Sequence, residues 1–462
     1  MVFHKMEKIH FVGIGGIGMS GIAEVLINLG FTVTGSDLRK TETTDRLERL
    51  GARIFYGHKK ENVQSVDVVV ISSAVKQDNP EIQRAKELFI PVIQRAEMLA
   101  ELMRMKFSIA VAGAHGKTTT TSIVSTILGH AGMDPTCVIG GKLNSLGSNA
   151  RLGDSKYLVA EADESDGTFL LLYPTIAVVT NIDMEHLDFY NNMDEIKSAF
   201  LAFLNKVPFY GIDIICIDNP NLQTLIPYLK RRYITYGLSK QADLRAEGIV
   251  HEGFETRFRV IFKGEDLGEI SASIQGTHNV ANALAACGVG LELDIPFDTI
   301  RDAMKTFSGI QRRLELKWSG DITLVDDYGH HPTEIKATLS AIRKTGKGRV
   351  IVAFQPHRYT RTKALMDEFV TSFNEADILI VTEIYPASEE KIEGVTGMLL
   401  SEKIRASGHK NVIFAPTKED ARDRILETAR SGDVVVTLGA GDINKICETL
   451  KNTWMEHTRT GK

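Results

Sequence analysis

At 462 residues the chain is longer than one hydrophobic core usually organises, and ordinary domain sizes predict about three domains. Its 54 Lys and Arg against 59 Asp and Glu leave a net charge of −5, which excludes a general attraction to nucleic acid or to anionic membranes and requires any phosphate recognition to be local. Cys137, Cys216, Cys287 and Cys447 are far apart and form no C-x-x-C pair, so they read as reduced structural thiols of a cytoplasmic protein.

Short β-rich runs alternate with helical stretches from the start, the pattern of parallel sheets with crossover helices in an α/β protein. The run from Ile9 to Leu29 resembles a signal peptide or membrane anchor only superficially, because five glycines and Glu24 interrupt it. The first block has predicted strands at Ile9 to Val12, Thr32 to Gly35 and Val66 to Ser72, and ends in a charged helix from Arg95 to Lys106. The second opens with a strand from Ser108 to Ala112, continues through Tyr157 to Ala160 and Ile176 to Thr180, and turns to antiparallel alternation between Ile234 and Ile274. The third follows Arg312-Arg313, with strands at Ile322 to Val325, Arg349 to Phe354, Ile378 to Thr382, Val412 to Ala415 and Val434 to Leu438.

Gly13-Ile14-Gly15-Gly16-Ile17-Gly18 fits G-x-G-x-x-G between a strand and a helix, and Asp37 follows the second strand. Glycines there let backbone N–H groups approach a diphosphate at a helix N-terminus. The motif does not say whether that diphosphate belongs to NAD, FAD or a nucleotide sugar. Gly113-Ala114-His115-Gly116-Lys117-Thr118-Thr119-Thr120 again lies between strand and helix, shorter than the common phosphate loop because two residues separate Gly113 from Gly116. Backbone donors, the Lys117 charge and the Thr118 hydroxyl suit a nucleoside triphosphate with Mg²⁺. Glu161 and His186, at strand ends in the same block, are candidate metal ligands.

The runs Gly113 to Thr120, Glu161-Ala162-Asp163-Glu164, Thr180-Asn181-Ile182, His186-Leu187-Asp188 and His278 to Ala286, with Arg312-Arg313 and Asp326-Asp327-Tyr328-Gly329-His330-His331-Pro332, resemble those of the Mur ligases over nearly the whole chain. Ala114 departs from the threonine common in that loop. The resemblance implies a Rossmann-like N-terminal domain at 1–106 for a UDP-sugar, a P-loop ATPase-like central domain at 107–313 and a Rossmann-like C-terminal domain at 314–462 for an amino acid. It implies ATP and Mg²⁺ as cofactors and amide ligation through an acyl phosphate in peptidoglycan precursor synthesis. The glycine-rich opening, Glu164 to Phe169 and Asp327 to Pro332 look most like the member that joins L-alanine to UDP-N-acetylmuramate, the runner-up being the member that recycles murein tripeptide.

Carried over by position, Thr118, Glu161 and His186 would hold metal, with Lys117, Glu161 and His186 at the reacting groups. Gly113 through Thr119, Asn279, Asn282, Arg313 and Asp327 would meet ATP. Gly13, Gly15, Gly16, Gly18 and Asp37 would meet the UDP-sugar, while Tyr328, His330, His357, Arg358 and Arg361 would complete the substrate site. No nucleic acid or membrane partner is expected, and the chain is expected to be a monomer or weak homo-oligomer. A nicotinamide-dependent oxidoreductase built on the first loop leaves Lys117 without a task, and a phosphate-loop switch or motor would need no small acceptor. Many Mur ligases carry a lysine, used as its carbamate, about fourteen residues after the metal-binding histidine. That position here is Phe200, with Lys197 about a helical turn earlier, so no carbamate is expected. Thr437 to Asp442 reads as a turn at a sheet edge rather than a second dinucleotide site.

Overall fold

The computed structural model describes residues 7–72, 75–139, 150–185, 189–307, 309, 311–345, 348–387 and 389–460. The chain forms two compact units, one of residues 1–248, 258–272 and 281–308, the other of residues 249–257, 273–280 and 309–462. Three sheets organise it into a three-domain α/β architecture. Among the described residues no helix is long and apolar enough to cross a membrane.

The first sheet runs Arg53–Tyr56, Thr32–Asp37, Lys8–Val12, Val68–Ile71, Val92–Gln94, with every neighbouring pair parallel. Val68–Ile71 is buried throughout, as four consecutive apolar residues must be when helices cover both faces. Strand order reverses beside Lys8–Val12, and ligands of such sheets bind where strands diverge at their carboxyl ends. That strand runs straight into the Gly13 loop.

The second sheet has ten strands. Tyr233–Gly237, Ile212–Cys216, Ile176–Val179, Phe107–Ala112, Tyr157–Glu161 and Thr136–Val138 lie side by side in parallel, so the strand that feeds the Gly113 loop is central and its neighbours' ends surround it. Leu244–Glu252, Glu255–Phe262 and Glu265–Ala272 follow one another at one side. Only two residues join each of these strands to the next, a length that permits antiparallel hairpins alone.

In the second unit the sheet order is Glu315–Ser319, Thr323–Asp327, Val434–Leu438, Val350–Phe354, Ile378–Val381, Val412–Phe414, parallel except for the first pair. One face packs Ile335, Leu339, Phe369 and Phe373, the other Ile425, Ile446, Leu450 and Trp454. Val434–Leu438 corrects the expectation of a sheet-edge turn after it. The last strand in sequence inserts between two earlier ones, so the loop from Gly439 to Asp442 rises from the middle of the sheet. Gln355 holds this loop, its Oε1 accepting from the Asp442 and Ile443 N–H groups at 2.8 and 3.1 Å.

A buried carboxylate sits behind the first glycine loop. Glu81 accepts from Ser36 Oγ at 2.6 Å and from Asn62 Nδ2 at 2.5 Å, with the His10 ring 3.8 Å away. Burial pushes its pKa up, but the His10 ring and these hydrogen bonds outweigh burial and hold the carboxyl at about 2. The carbonyl of Ser36 accepts from Gly13 N and Ile14 N, so Glu81 supports the residue that fixes the loop. A depressed carboxylate pKa stabilises the fold above the unfolded value of 4.5, and that contribution is lost as pH falls toward 2. Glu81→Gln is therefore expected to lower stability by about 2 kcal/mol at pH 7 and to flatten the loss of stability below pH 4.5, read by urea unfolding across pH.

Candidate active site

The Gly13 loop turns through positive φ (+79°) at Gly13, and Gly15 N donates to Asp37 Oδ2 at 2.8 Å. A Cβ at Gly15 would stand 2.8 Å from that carboxylate oxygen, so glycine is required for Asp37 to reach the loop backbone. Gly16 caps the helix Ile17–Asn28 with no side-chain bond to its first N–H groups. Those donors and the positive end of the helix are what an anion would meet. The structure thus brings Gly13, Gly15, Gly16, Gly18 and Asp37 together.

In the second loop Gly113 (φ +132°) and Gly116 (φ +83°) take conformations that side chains resist, and a Cβ at Gly113 would run into the Thr180 hydroxyl. Thr180 and Asn181 clamp the loop. Thr180 Oγ1 and Asn181 Nδ2 both donate to the His115 carbonyl, at 2.6 and 2.9 Å, and Asn181 Oδ1 accepts from His115 N at 2.8 Å. Lys117 begins the helix Lys117–His130, its Nζ donating to Gly113 O at 2.5 Å and to both oxygens of buried Glu164 at 2.8 and 2.9 Å. Burial alone would lower the lysine pKa, but Glu164 and Asp163 outweigh it and the pKa is raised. Lys117 is therefore a fixed cation, with Thr118 next to it in the first helical turn and Thr119 behind. Asn282 lies against Gly116, close enough that a Cβ there would clash with its Oδ1.

Glu161 ends the strand Tyr157–Glu161, paired with Val111 two residues before Gly113. His186 lies outside the described residues. Phe200 is buried in the helix Met193–Leu204, its ring 5.3 Å from that of Phe169, which makes it core. Asn279 and Asn282 are both on the helix Thr277–Glu292, and Asn279 Nδ2 donates to Gln275 O at 2.9 Å.

Within the second unit, Arg313 lies over the Tyr328 ring at 5.3 Å and donates to Glu334 at 3.2 Å. Asp327 points inward, its oxygens accepting from Leu314 N (2.7 Å), Gly329 N (2.8 Å) and Thr338 Oγ1 (3.1 Å). Burial raises it to about 6. It fixes the backbone around Arg313 and Tyr328, a role that the motif did not reveal. Tyr328 and His330 meet edge to face at 5.4 Å, the His330 and His357 rings lie 5.8 Å apart, and Arg361 Nη1 is 3.4 Å from His357 Nδ1. Arg358 caps the helix Tyr359–Ala364 with φ +71°, a strained conformation for a residue with a side chain, tied by its N–H to Tyr385 O at 2.9 Å. Tyr328, His330, His357, Arg358 and Arg361 thus follow the carboxyl ends of strands Thr323–Asp327 and Val350–Phe354, which flank Val434–Leu438.

Residues 8–107 match the family model described as Mur ligase family, catalytic domain; residues 111–290 match Mur ligase middle domain; residues 312–441 match Mur ligase, glutamate ligase domain. The chain belongs to the Mur ligase family. A protein of Geotalea uraniireducens named UDP-N-acetylmuramate–L-alanine ligase is 60% identical over 450 residues, covering 97% of this chain and 98% of that one. One of the same name from Myxococcus xanthus is 56% identical, with 96% of each covered. Among solved structures, a UDP-N-acetylmuramate-alanine ligase of Thermotoga maritima superposes with a TM-score of 0.82 at 29% identity over 97% of this chain and 99% of that one. A murein peptide ligase of Psychrobacter arcticus gives 0.70 at 26% over 96% and 98%.

Sequence reasoning on this Mur ligase missed Glu164, Thr180 and Asn181 as partners of the phosphate loop. Their signal was their place in the family runs, but pairing across 47 to 66 residues is visible only in the fold. It missed Arg95 and Asp163 as well, whose side chains meet at 3.2 Å. In the third sheet, burial first and then the neighbouring arginine charges lower His330 to about 3 and His357 to about 4. Both imidazoles are neutral at pH 7. Because the unfolded histidines take up protons near 6.5 and the folded ones do not, stability is full above that pH and declines as pH falls below it. Ring resonances followed by NMR in the ligand-free Mur ligase should show no titration of either between pH 5 and 8; a midpoint near 6.5 for either would place that ring in solvent.

Proposed function

We propose that this chain is an ATP-dependent ligase that joins L-alanine to UDP-N-acetylmuramate, yielding ADP and phosphate, in the cytoplasmic synthesis of peptidoglycan precursors. The observation that carries the ATP part is the Gly113–Thr118 loop, whose charged, half-buried Lys117 is held at the start of a helix. The choice of substrates is supported by identity of 60% across nearly the full length to a relative with that name. In this reading residues 1–106 hold the UDP-sugar, 107–313 hold ATP and 314–462 hold the amino acid.

The lactyl carboxylate attacks the γ-phosphorus, the bond from that phosphorus to the β–γ bridging oxygen breaks, and ADP leaves. The alanine nitrogen then adds to the acyl carbon, loses a proton, and expels phosphate. Bringing a carboxylate to a triphosphate sets like charges together, so the loop amides and Lys117 must neutralise them as the transition state forms. The loop backbone from Gly113 to Gly116, with a hydroxyl at Thr118 at the helix start and a carboxylate at Glu161 at the strand end, fits Mg²⁺; Thr118 and Glu161 would hold one ion, and Glu161 and His186 a second. The metal would supply charge neutralisation at the transferring phosphoryl group. Asn279, Asn282 and Arg313 would contact the nucleotide, Asp327 acting through the loop it fixes. Arg358 and Arg361 would take the carboxylate of alanine, for which a planar guanidinium is suited.

Phosphate release should require UDP-N-acetylmuramate, L-alanine and ATP together. Release with murein tripeptide in place of alanine would instead support the recycling activity. Lys117→Ala should leave UDP-N-acetylmuramate affinity nearly intact while reducing ligation by about a thousandfold. Equal loss of both would sink the division of labour between the first two domains.

Phe200 is a core residue, so no carbamate is available at its position. Activity should be indifferent to bicarbonate stripping at mildly acidic pH, and Lys197→Ala should keep most of it. Bicarbonate rescue that disappears in Lys197→Ala would count decisively the other way.

A further inference from the structure

Arg95 breaks a local rule. It is the first residue of the helix Arg95–Arg104, where the helix field disfavours a cation, and the reciprocal cap made by Gln94 and Glu97 does not involve it. Its guanidinium instead lies along the start of a second helix, Ile17–Asn28. A Cβ at Gly18 would stand 2.8 Å from Nη1 and 3.1 Å from Cδ, so glycine at this position makes room for the arginine. The first turn of Ile17–Asn28 carries no acid to balance its positive end. The nearby Asp37 is turned to Gly15 N and Arg39 N.

The opposite edge of the same guanidinium reaches the other loop. Nη2 donates to Asp163 Oδ2 at 3.2 Å, while Asp163 Oδ1 accepts from Ser165 N at 3.2 Å. Asp163 is flanked by Glu161 and by Glu164, the partner of Lys117. Burial raises the Asp163 pKa, but Lys117 and Arg95 outweigh it and keep the carboxylate ionised, and Asp163 in turn helps raise Lys117. Arg95 thus touches the acidic loop from beside the glycine helix, and its five donors allow it to serve both sides at once.

We propose that Arg95 is a positioning residue that couples the two substrate sites, taking the diphosphate of the UDP-sugar on its Nη1 edge while its Nη2 edge holds Asp163 and, through it, the acidic loop around Lys117. The inference rests on the reading that the glycine loop binds a UDP-sugar. A bound diphosphate pins the guanidinium, the guanidinium pins Asp163, and the loop that carries Glu161 and Glu164 is thereby held for the nucleotide. Coupling of this kind is reciprocal, so each ligand tightens the other by the same factor.

The test is calorimetric titration of a non-hydrolysable ATP analogue with Mg²⁺, with and without saturating UDP-N-acetylmuramate, in the full chain. In the wild type the sugar nucleotide should tighten the analogue about tenfold. In Arg95→Ala the analogue alone should bind within about twofold of wild type, UDP-N-acetylmuramate should bind more than about tenfold more weakly, and the tightening should vanish. Arg95→Lys should recover part of the UDP-N-acetylmuramate affinity and none of the tightening, because one ammonium cannot serve both edges. Asp163→Asn is the discriminating variant, expected to keep UDP-N-acetylmuramate affinity and lose the tightening. The pair is partly exposed and contributes little to folding, so thermal midpoints should stay close to wild type and a structural collapse would be seen directly. Wild-type tightening preserved in Arg95→Ala or Asp163→Asn overturns the proposal alone. A wild type that binds no UDP-N-acetylmuramate overturns the functional reading beneath it.

Discussion

An ammonium withdrawn from water needs partners in the protein, and Lys117, half-buried, is the ammonium on which this molecule turns. With Gly113 O and Glu164 around it, the side chain is satisfied before any nucleotide arrives. Each partner imposes a further constraint. The Gly113 carbonyl faces inward only because the loop takes φ values that glycine alone tolerates, and those values persist only because Thr180 and Asn181 tie down the His115 carbonyl. The Glu164 backbone is held in turn by the Tyr190 hydroxyl at 2.8 Å, and burial keeps that phenol a donor by pushing its pKa to about 12. On the proposed function, an incoming triphosphate would exchange one set of oxygen partners for another around a lysine already in place, which would limit the reorganisation that catalysis otherwise requires.

The same principle, with different donors, explains two other buried carboxylates. Glu81 has two side-chain donors and an adjacent imidazole, and it stays ionised with a pKa near 2. Asp327 shares its surroundings with Glu334, and two backbone N–H groups and a threonine do not offset its desolvation, so its pKa rises to about 6. Each fixes a loop at the carboxyl end of a parallel strand, Glu81 through Ser36 and Asp327 through Leu314 and Gly329. In both cases the loop geometry depends on a charge hidden behind it rather than on the residues that face a ligand.

That distinction governs what could be read in the sequence. The alternation of strands and helices, the two glycine loops and the arginine-bearing turn after Phe354 announce themselves because local chemistry requires glycine, lysine or arginine there. Strand Val434–Leu438 was legible as a strand, yet its central place was not, since spatial order in a parallel sheet is set by crossovers and not by position in the chain. The supporting residues were the least legible. Glu164 meets Lys117 across 47 residues and Arg95 meets Asp163 across 68, and nothing in the spacing of an acidic run says which of its members turns inward. Phe200 was read as no ligand because phenylalanine lacks the chemistry, while its packing on Phe169 became visible only in the fold.

The third sheet shows how charge is sorted within a site of mixed residues. Arg358, Arg361, His330 and His357 could together have carried four positive charges, which would repel the ammonium of any amino acid. Burial and the arginines themselves keep both imidazoles neutral, so the cationic character belongs to the guanidinium groups alone. On the proposed function, a carboxylate can then be held by arginine while the amino group lies against rings that do not repel it and that retain a lone pair. An amine must shed a proton before it can attack an acyl carbon, and a neutral ring is an environment in which the uncharged amine costs least. The neutrality of His330 and His357 follows from how they are packed, and it is this packing that makes a site rich in basic residues compatible with an amino acid.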